Sequence, residues 1–321
     1  MPISERLHRL GGGVFARTDQ RKQLYRQQQG TGNGLPLLDL SLGSSDLSPP
    51  ARVLEAMAEA IHDSGSAAYC LNAGTAPFQQ AVADWCFARF GVVVDPLSEV
   101  QLLVGSQEGT AHLPLAVLNP GDPALVLDPC YPSHLGGATL AGEAPSLLRS
   151  PGWRDCGIEF FSLSKGWCMG GFRLGFAVGA APLIAALRQV KSVIDFNQSL
   201  ALQQGAIVAL RECCDWPRTL HPVYRERRDR VMEALQRVGW AVPRAEMALY
   251  LWMPLPDSAR QRGWDDERTA AELLDQCGVA LTPGSGFGPA GRDWLRMALV
   301  RPVDELVSAV DRMAGWCDGS A

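Results

Sequence analysis

The stretch that decides the fold is SEVQLLVGSQEGTAHLPLAVLNPGDPALVLDPCYP, residues 98–132. A β-type run over 100–104 stops at Gly105, and a helical segment follows over about 107–118. Pro and Gly break that segment before a second apolar run at 124–128. The order predicts strand, helix, strand, with parallel strands and an α/β architecture. Further on, the β-type run IEFFSLS (158–164) ends in Lys165, and LGFAVG (174–179) reads as another short buried strand.

Outward from this centre, residues 1–34 are polar, with Gly11-Gly12-Gly13 and Gln27-Gln28-Gln29-Gly30, and read as an arm rather than core. LLDLSLGSSDLSPP (37–50) reads as a short strand and a turn. Pro49-Pro50 open a helix, where missing N–H groups cost nothing, and Val53, Leu54, Met57 and Ile61 form its apolar stripe. A second helix is expected from Thr75, a good N-cap, to Phe90, with Gly91 ending it. A long helical stretch covers about 182–211, and an amphipathic helix covers 224–240. The segments 248–256, 279–288 and 293–300 suggest two strands and a glycine loop, and a last helix starts at Asp304. No internal repeat is visible. The expected organisation is an arm with part of a small domain (1–48), a large domain (49–212) and a C-terminal small domain (213–321).

Composition narrows the function classes. With 321 residues, 47% hydrophobic and 20% charged, the chain is globular and long enough for one large or two smaller domains. A net charge of −5 gives no basic excess for a general nucleic-acid surface. No apolar run approaches the roughly 20 residues that cross a bilayer, and MPISERLHRL has no secretory apolar core. Nine scattered cysteines without C-x-x-C, and five histidines without H-E-x-x-H, predict neither a disulfide framework nor a metal site. The expected location is a reducing cytoplasm, with no membrane or nucleic-acid partner. Only three residues are lysine (Lys22, Lys165, Lys191), which narrows any search for a reactive amine.

Four places carry chemistry. Gly105-Ser106-Gln107-Glu108-Gly109 joins a strand end to a helix start, whose N–H groups and positive dipole suit a phosphate, or it is simply a capped helix. It is neither G-x-S-x-G nor a P-loop. Ser162-Leu163-Ser164-Lys165 puts an amine at the end of an apolar strand, where desolvation favours a Schiff-base nucleophile. Arg173 could return a positive charge to the same face, and the alternative is a solvated lysine. Tyr131, past the strand end at Asp128-Pro129-Cys130-Tyr131-Pro132, either stacks on a flat ring or packs in a proline turn. Arg296 interrupts the apolar run Trp294–Ala298, and its planar fork suits a carboxylate as well as water at a strand edge. Gly284-Ser285-Gly286-Phe287-Gly288 is not G-x-G-x-x-G and reads as a loop.

Taken together, these pieces resemble the class I/II aminotransferases of pyridoxal-phosphate fold type I. Ser162-x-Ser164-Lys165 followed by Gly171-Phe172-Arg173-Leu174-Gly175 carries the resemblance. The stretch IEFFSLSKGWCMGGFRLGFAVG looks like the branch of diaminopimelate and alanine aminotransferases. Supporting matches are LSLGSSDLSPP, AYCLNAGTAPFQQAVADW, GSQEG, NPGDPALVLDPCYP, TPGSGFGPAG and WLRMALV, over about 38–315. The resemblance implies a large domain with a mostly parallel sheet flanked by helices, plus a small α+β domain. It implies an enzyme of amino acid biosynthesis that moves an amino group between a small amino acid and a 2-oxo acid. It implies pyridoxal 5′-phosphate as a Schiff base on Lys165, which then shuttles the proton at the substrate α-carbon. Ser106, Gln107, Ser162 and Arg173 would hold the phosphate, and Tyr131 would stack on the ring. Tyr69 would reach the phosphate of a neighbouring subunit in a homodimer. Arg296 would clamp the substrate α-carboxylate, with Gly43 in the loop that closes over it.

One departure stands out. The family carries N-P-x-N-P-T-G and then D-x-x-Y between the Tyr131 position and the lysine, for the ring hydroxyl and the ring nitrogen. Only residues 132–157 separate Pro132 from Ile158 here, and they hold neither motif. Asp128-Pro129-Cys130-Tyr131 matches D-x-x-Y, but its surroundings belong to the earlier tyrosine turn. Glu143 and Asp155 are the nearby carboxylates, and nothing in their context marks either as a ring partner. The flanks read as joined near Glu143-Ala144 after loss of several dozen residues from the middle of the sheet. Four or five mostly parallel strands should remain, and transamination should be slow. The alternative reading is a degenerate fold-type-I protein with impaired chemistry.

Overall fold

The structure, a computed structural model, describes residues 13–29, 34–71, 74–130, 146–246 and 249–317. In chain order the elements are α1 (Val14–Gln29), β1 (Leu38–Asp39), α2 (Ala51–Ile61), α3 (Ala76–Phe90), β2 (Val100–Leu103), α4 (Ser106–Val117), β3 (Ile158–Ser162), β4 (Gly175–Gly179), α5 (Ala181–Ile194), α6 (Leu200–Arg211), α7 (Trp216–Arg237), β5 (Tyr250–Pro254), α8 (Asp266–Cys277), β6 (Val279–Ala280), β7 (Thr282–Pro283), β8 (Trp294–Ala298) and α9 (Val303–Cys317), with short helical turns between some of them. They fall into two compact units. One is drawn from Ser44–Val126 and Ser133–His221, the other from Met1–Gly43, Leu127–Pro132 and Pro222–Ala321.

The first unit is built on a sheet of order β2-β4-β3. Successive side chains on a strand point to opposite faces, and the two faces fill differently. Leu102, Phe161, Phe176 and Val178 enter the larger core with Val53 and Met57 of α2, Phe78 and Val82 of α3, and Ala206 and Ile207 of α6. Phe161 and Phe176 stack at 5.1 Å, and Trp85 meets both edge-on. On the opposite face, Leu103 and Ala177 pack against Ile184 and Leu187 of α5. Capping sets α3 as its sequence predicts: the Thr75 hydroxyl accepts from Phe78 N at 3.3 Å, and Gly91 takes a left-handed φ of 71°. The stripe expected on α2 is half right, since Val53 and Met57 are buried while Leu54 and Ile61 are exposed. The helical stretch over 182–211 is two helices, α5 and α6.

The α/β class holds, but the strand count and direction need correction. Among the described residues this sheet has three strands rather than four or five, and β4 runs antiparallel to both β2 and β3. The apolar run 124–128, expected to complete a β-α-β unit, is not a strand. Leu125, Val126 and Leu127 are exposed at 103%, 62% and 65%. An isolated apolar run forms a strand only with a hydrogen-bonded neighbour, and none of the described residues supplies one.

In the second unit, β5, β8 and β7 form an antiparallel sheet, and β1 pairs parallel with β6. Ala298 N donates to Leu40 O at 2.8 Å, which ties the residue after β1 to the end of β8. The core gathers Leu38, Leu40, Val231, Leu235, Leu251, Met297 and residues of α8 and α9. The N-terminal segment is more than an arm. Its residues 14–29 form α1, with Val14, Lys22 and Tyr25 buried. Its polar sequence hides this because ion pairs dock it: Arg17 to Glu267 at 2.8 Å, Arg21 to Asp275 at 2.7 Å, and Lys22 to Asp39 at 2.8 Å. Among the described residues no helix is long and apolar enough to cross a membrane.

Candidate active site

The sheet of the first unit brings three chemistry-bearing ends to one edge. β2 and β3 run in the same direction and β4 opposes them, so the C-terminal ends of β2 and β3 lie beside the N-terminal end of β4. Gly175 is the meeting point, opposite Leu103 on one side and Ser162 on the other. A Cβ on Gly175 would lie 2.6 Å from Ser106 N and 2.7 Å from Phe161 O, so only glycine lets the strands and the start of α4 come this close.

From the end of β2 the chain turns through Gly105, whose φ of 78° and ψ of 154° suit only glycine, and Ser106 opens α4. Arg173 comes from the start of β4. Its guanidinium lies over Gly105, where a Cβ would stand 2.9 Å from Cζ. Arg173 itself adopts a left-handed φ of 53°. The Gln198 side-chain amide holds this turn by donating to the carbonyls of Phe172 (3.3 Å) and Arg173. A helix start, a serine hydroxyl and an exposed guanidinium at one point form a cup whose chemistry fits a phosphate monoester. Gln107 is exposed in the first turn of α4.

From the end of β3, Ser162 caps the short helix Leu163–Gly166, its hydroxyl accepting from Ser164 N at 3.2 Å. That turn places Lys165 at the same sheet edge. Lys165 is part-exposed, whereas the other two lysines are buried in ion pairs. Lys22, 1% exposed, contacts Asp39, and Lys191, 3% exposed, contacts Glu108 and Asp195. Glu108, His112 and Asp195 offer ligand atoms within 4.8 Å of one another. The Lys191 ammonium holds two of these three carboxylate and imidazole groups, which sets a positive charge where a cation would need to sit.

Arg296 belongs to the second unit. It lies on β8, opposite Trp252 and Thr282, and is 5% exposed. Its Nη2 donates to Ser41 O at 2.6 Å and to Thr282 Oγ1 at 3.3 Å. The rings of Tyr250 (4.4 Å), Phe287 (4.8 Å) and Phe15 (5.2 Å) face its Cζ. A guanidinium framed by aromatic faces and held by the Ser41 carbonyl and the Thr282 hydroxyl has a fixed fork direction, which suits a carboxylate. The open alternative of a solvated strand-edge arginine is therefore set aside. Gly43 is buried two residues beyond Ser41. Tyr69 is 81% exposed and meets Phe196 edge-on at 5.7 Å. Tyr131 and Glu143 lie outside the described residues, and Asp155 sits in the short helix Trp153–Cys156.

Comparison with known proteins decides what this geometry belongs to. The family model of aminotransferase class I and II matches residues 36–154 and 153–313. This chain is a class I/II aminotransferase. The LL-diaminopimelate aminotransferase of Aquifex aeolicus is 31% identical over 389 aligned residues, covering 97% of this chain and 98% of the relative. That of Syntrophobacter fumaroxidans is 33% identical, with 97% of each chain covered. A probable N-succinyldiaminopimelate aminotransferase from Thermus thermophilus superimposes with a TM-score of 0.82 at 35% identity, over 94% of this chain and 99% of that one. The fold is thus that of the fold-type-I enzymes, the family's cofactor is pyridoxal phosphate, and the alternative of a degenerate protein gains no support. The alignment also measures the shortening. About 311 residues of this aminotransferase, 97% of 321, spread over 389 positions and leave about 78 unmatched. The two family-model segments meet at 153–154, ten residues beyond Glu143.

Several residues of the site escaped sequence reading. Phe15, Tyr250 and Phe287 sit in three separate segments, and only the period-2 alternation of β5 hinted that Tyr250 faces one side. Gln198 had no motif around it. Lys22 stood in a polar stretch that reads as solvated.

Proposed function

We propose that this aminotransferase takes its amino group from a donor of the diaminopimelate type and passes it to a 2-oxo acid. The names of its relatives, LL-diaminopimelate and N-succinyldiaminopimelate aminotransferases, support that donor class. The observation that carries the reading is the convergence at Gly175 of the α4 start, Arg173 and the Lys165 turn. Bound at this edge, pyridoxal phosphate supplies an electron sink for the substrate α-carbon. Ser106, Gln107, Ser162 and Arg173 anchor the phosphate, the last by charge-assisted hydrogen bonds. The Lys165 amine binds the cofactor and then holds and returns the proton at the α-carbon. Tyr131 would stack on the ring, and Arg296 would take the α-carboxylate, with Gly43 in the loop that would close over it. The exposure of Tyr69 suits a side chain that reaches into the partner of a homodimer. The enzyme works in the cytoplasm, with a small domain drawn from 1–48 and 213–321 and a large domain over 49–212.

Borohydride reduction of the cofactor-loaded chain, followed by peptide mapping, tests this reading. The expected adduct is on Lys165 alone, and LL-diaminopimelate added before reduction should prevent it. An adduct on Lys22 or Lys191, or none, overturns the assignment.

A further inference from the structure

We propose that Lys22 is a positioning residue for Arg296, acting through Asp39 and Ser41. The proposal rests on the reading of Arg296 as the carboxylate-binding group. It starts from what fixes that guanidinium. Ser41 O accepts from Arg296 Nη2 at 2.6 Å and from the Thr282 hydroxyl at 2.7 Å, and Thr282 Oγ1 also lies 3.3 Å from Arg296 Nη2, so this carbonyl orders both groups that meet the fork. Ser41 is fixed in turn by Asp39, whose Oδ1 accepts from Ser41 N at 3.1 Å and Ser41 Oγ at 2.6 Å. The other carboxylate oxygen of Asp39 accepts from Lys22 Nζ at 2.8 Å. Lys22 also lies 3.5 Å from Ser41 Oγ and 3.4 Å from Asp19 Oδ1.

The charge on Lys22 is what makes this chain of contacts hold. Burial alone would raise the Asp39 carboxyl, but hydrogen bonds from Lys22 and Ser41 outweigh it and keep the group below its ordinary range. An ionised Asp39 accepts both Ser41 donors at once, whereas a protonated one loses an acceptor site. Lys22 is 1% exposed, which leaves its ammonium no water to fall back on. A lysine on α1, outside the sheet that carries Arg296, therefore sets the carbonyl that aims it. A neutral side chain there frees Asp39 and Ser41 to shift, and the Arg296 fork shifts with them.

The test uses the cofactor-loaded enzyme and calorimetric binding of 2-oxoglutarate, which presents an α-carboxylate and needs no turnover. Lys22→Met should weaken binding tenfold or more, with pyridoxal phosphate affinity within twofold of the parent. Lys22→Arg, which keeps the charge, should bind within threefold of the parent. A merely structural ion pair would lower the melting temperature without this split. If Lys22→Met does not fold, Ser41→Ala, which keeps the carbonyl and removes the Oγ contact, is expected to weaken binding at least threefold. Arg296→Gln separates the two levels. If it weakens binding while the Lys22 and Ser41 variants do not, the positioning role is overturned and the reading of Arg296 stands. If Arg296→Gln or the parent shows no carboxylate binding attributable to Arg296, both are overturned.

Discussion

Gly105→Ala should separate phosphate recognition from every other part of cofactor binding. Gly105 holds φ 78° and ψ 154°, a region that costs an alanine about 1–3 kcal/mol of folding stability. Its new methyl would also stand 2.9 Å from Arg173 Cζ. A guanidinium on a flexible stem yields more easily than backbone, so Arg173 swings away from the start of α4. Losing a hydrogen bond to a charged partner costs about 1.5–3 kcal/mol, which is about ten- to a hundredfold in Kd. The assay is absorbance titration with pyridoxal phosphate and with pyridoxal, which lacks the phosphate. The variant should lose its preference for the phosphorylated form and bind pyridoxal as the parent does. Arg173→Gln should show the same loss of preference without the drop in melting temperature, because Gly105 keeps its backbone. Gly105→Ala that still binds pyridoxal phosphate within twofold of the parent, or that loses pyridoxal equally, would refute the cup.

Other consequences are open to direct measurement. Burial pushes the Cys86 and Cys277 thiols up to about 12, so maleimide labelling at pH 8 should spare both in the folded chain while the exposed Cys156 and Cys214 react, read by peptide mass. The Asp39 carboxyl is held below its ordinary 3.8 in the folded chain. Its contribution to stability is thus present above that value and lost as pH falls through the lower folded value. Urea midpoints of the parent and Asp39→Asn should differ at pH 7 and converge as pH drops below about 4. Phe176, 1% exposed and in ring contact with Phe78, Trp85 and Phe161, should cost about 3–5 kcal/mol when replaced by alanine, measured by urea unfolding.

What the sequence discloses follows from whether a residue's role is local. The bounds of α3 are legible because Thr75 and Gly91 act within one helical turn of its ends. The Lys165 turn and Arg173 are legible because each sits at the end of a strand whose apolar run is unmistakable. The ring-lined seat of Arg296 is not, since Phe15, Tyr250 and Phe287 come from α1, β5 and the turn before β8, and only the folded unit joins them. The docking of α1 is hidden for the same reason. Two of its partners, Glu267 and Asp275, lie far along the chain, and a polar helix held by ion pairs has no apolar stripe to announce it. The run 124–128 misleads in the other direction. Its apolar pattern is a strand's, but a pattern cannot supply the neighbour that a ladder needs.

That orphaned run and the intact cup have one cause, the order of strands in the sheet. β2, β4 and β3 are contiguous, and every pairing among them is internal to the three. The alignment leaves about 78 positions unmatched in all, and the family-model segments meet at 153–154, just before β3, so a shortening at that junction breaks no bond inside this ladder. The candidate cup and Lys165 hang from the ends of these three strands, whose pairing such a shortening leaves in place. The run 124–128 lies before that junction, has no strand partner among the described residues and is exposed. The same order divides the chemistry. The candidate phosphate and amine residues lie outside residues 132–157, and that stretch holds neither the asparagine nor the aspartate motif expected from the family resemblance. Anchoring by the cup can then persist while the ring is tuned less well. Turnover should accordingly fall much further below that of the full-length relatives than cofactor affinity does. Parallel measurement of Kd for pyridoxal phosphate and kcat with LL-diaminopimelate, for this chain and the Aquifex aeolicus relative, checks the split. An equal fall in both would show that the cup depends on the missing strands after all.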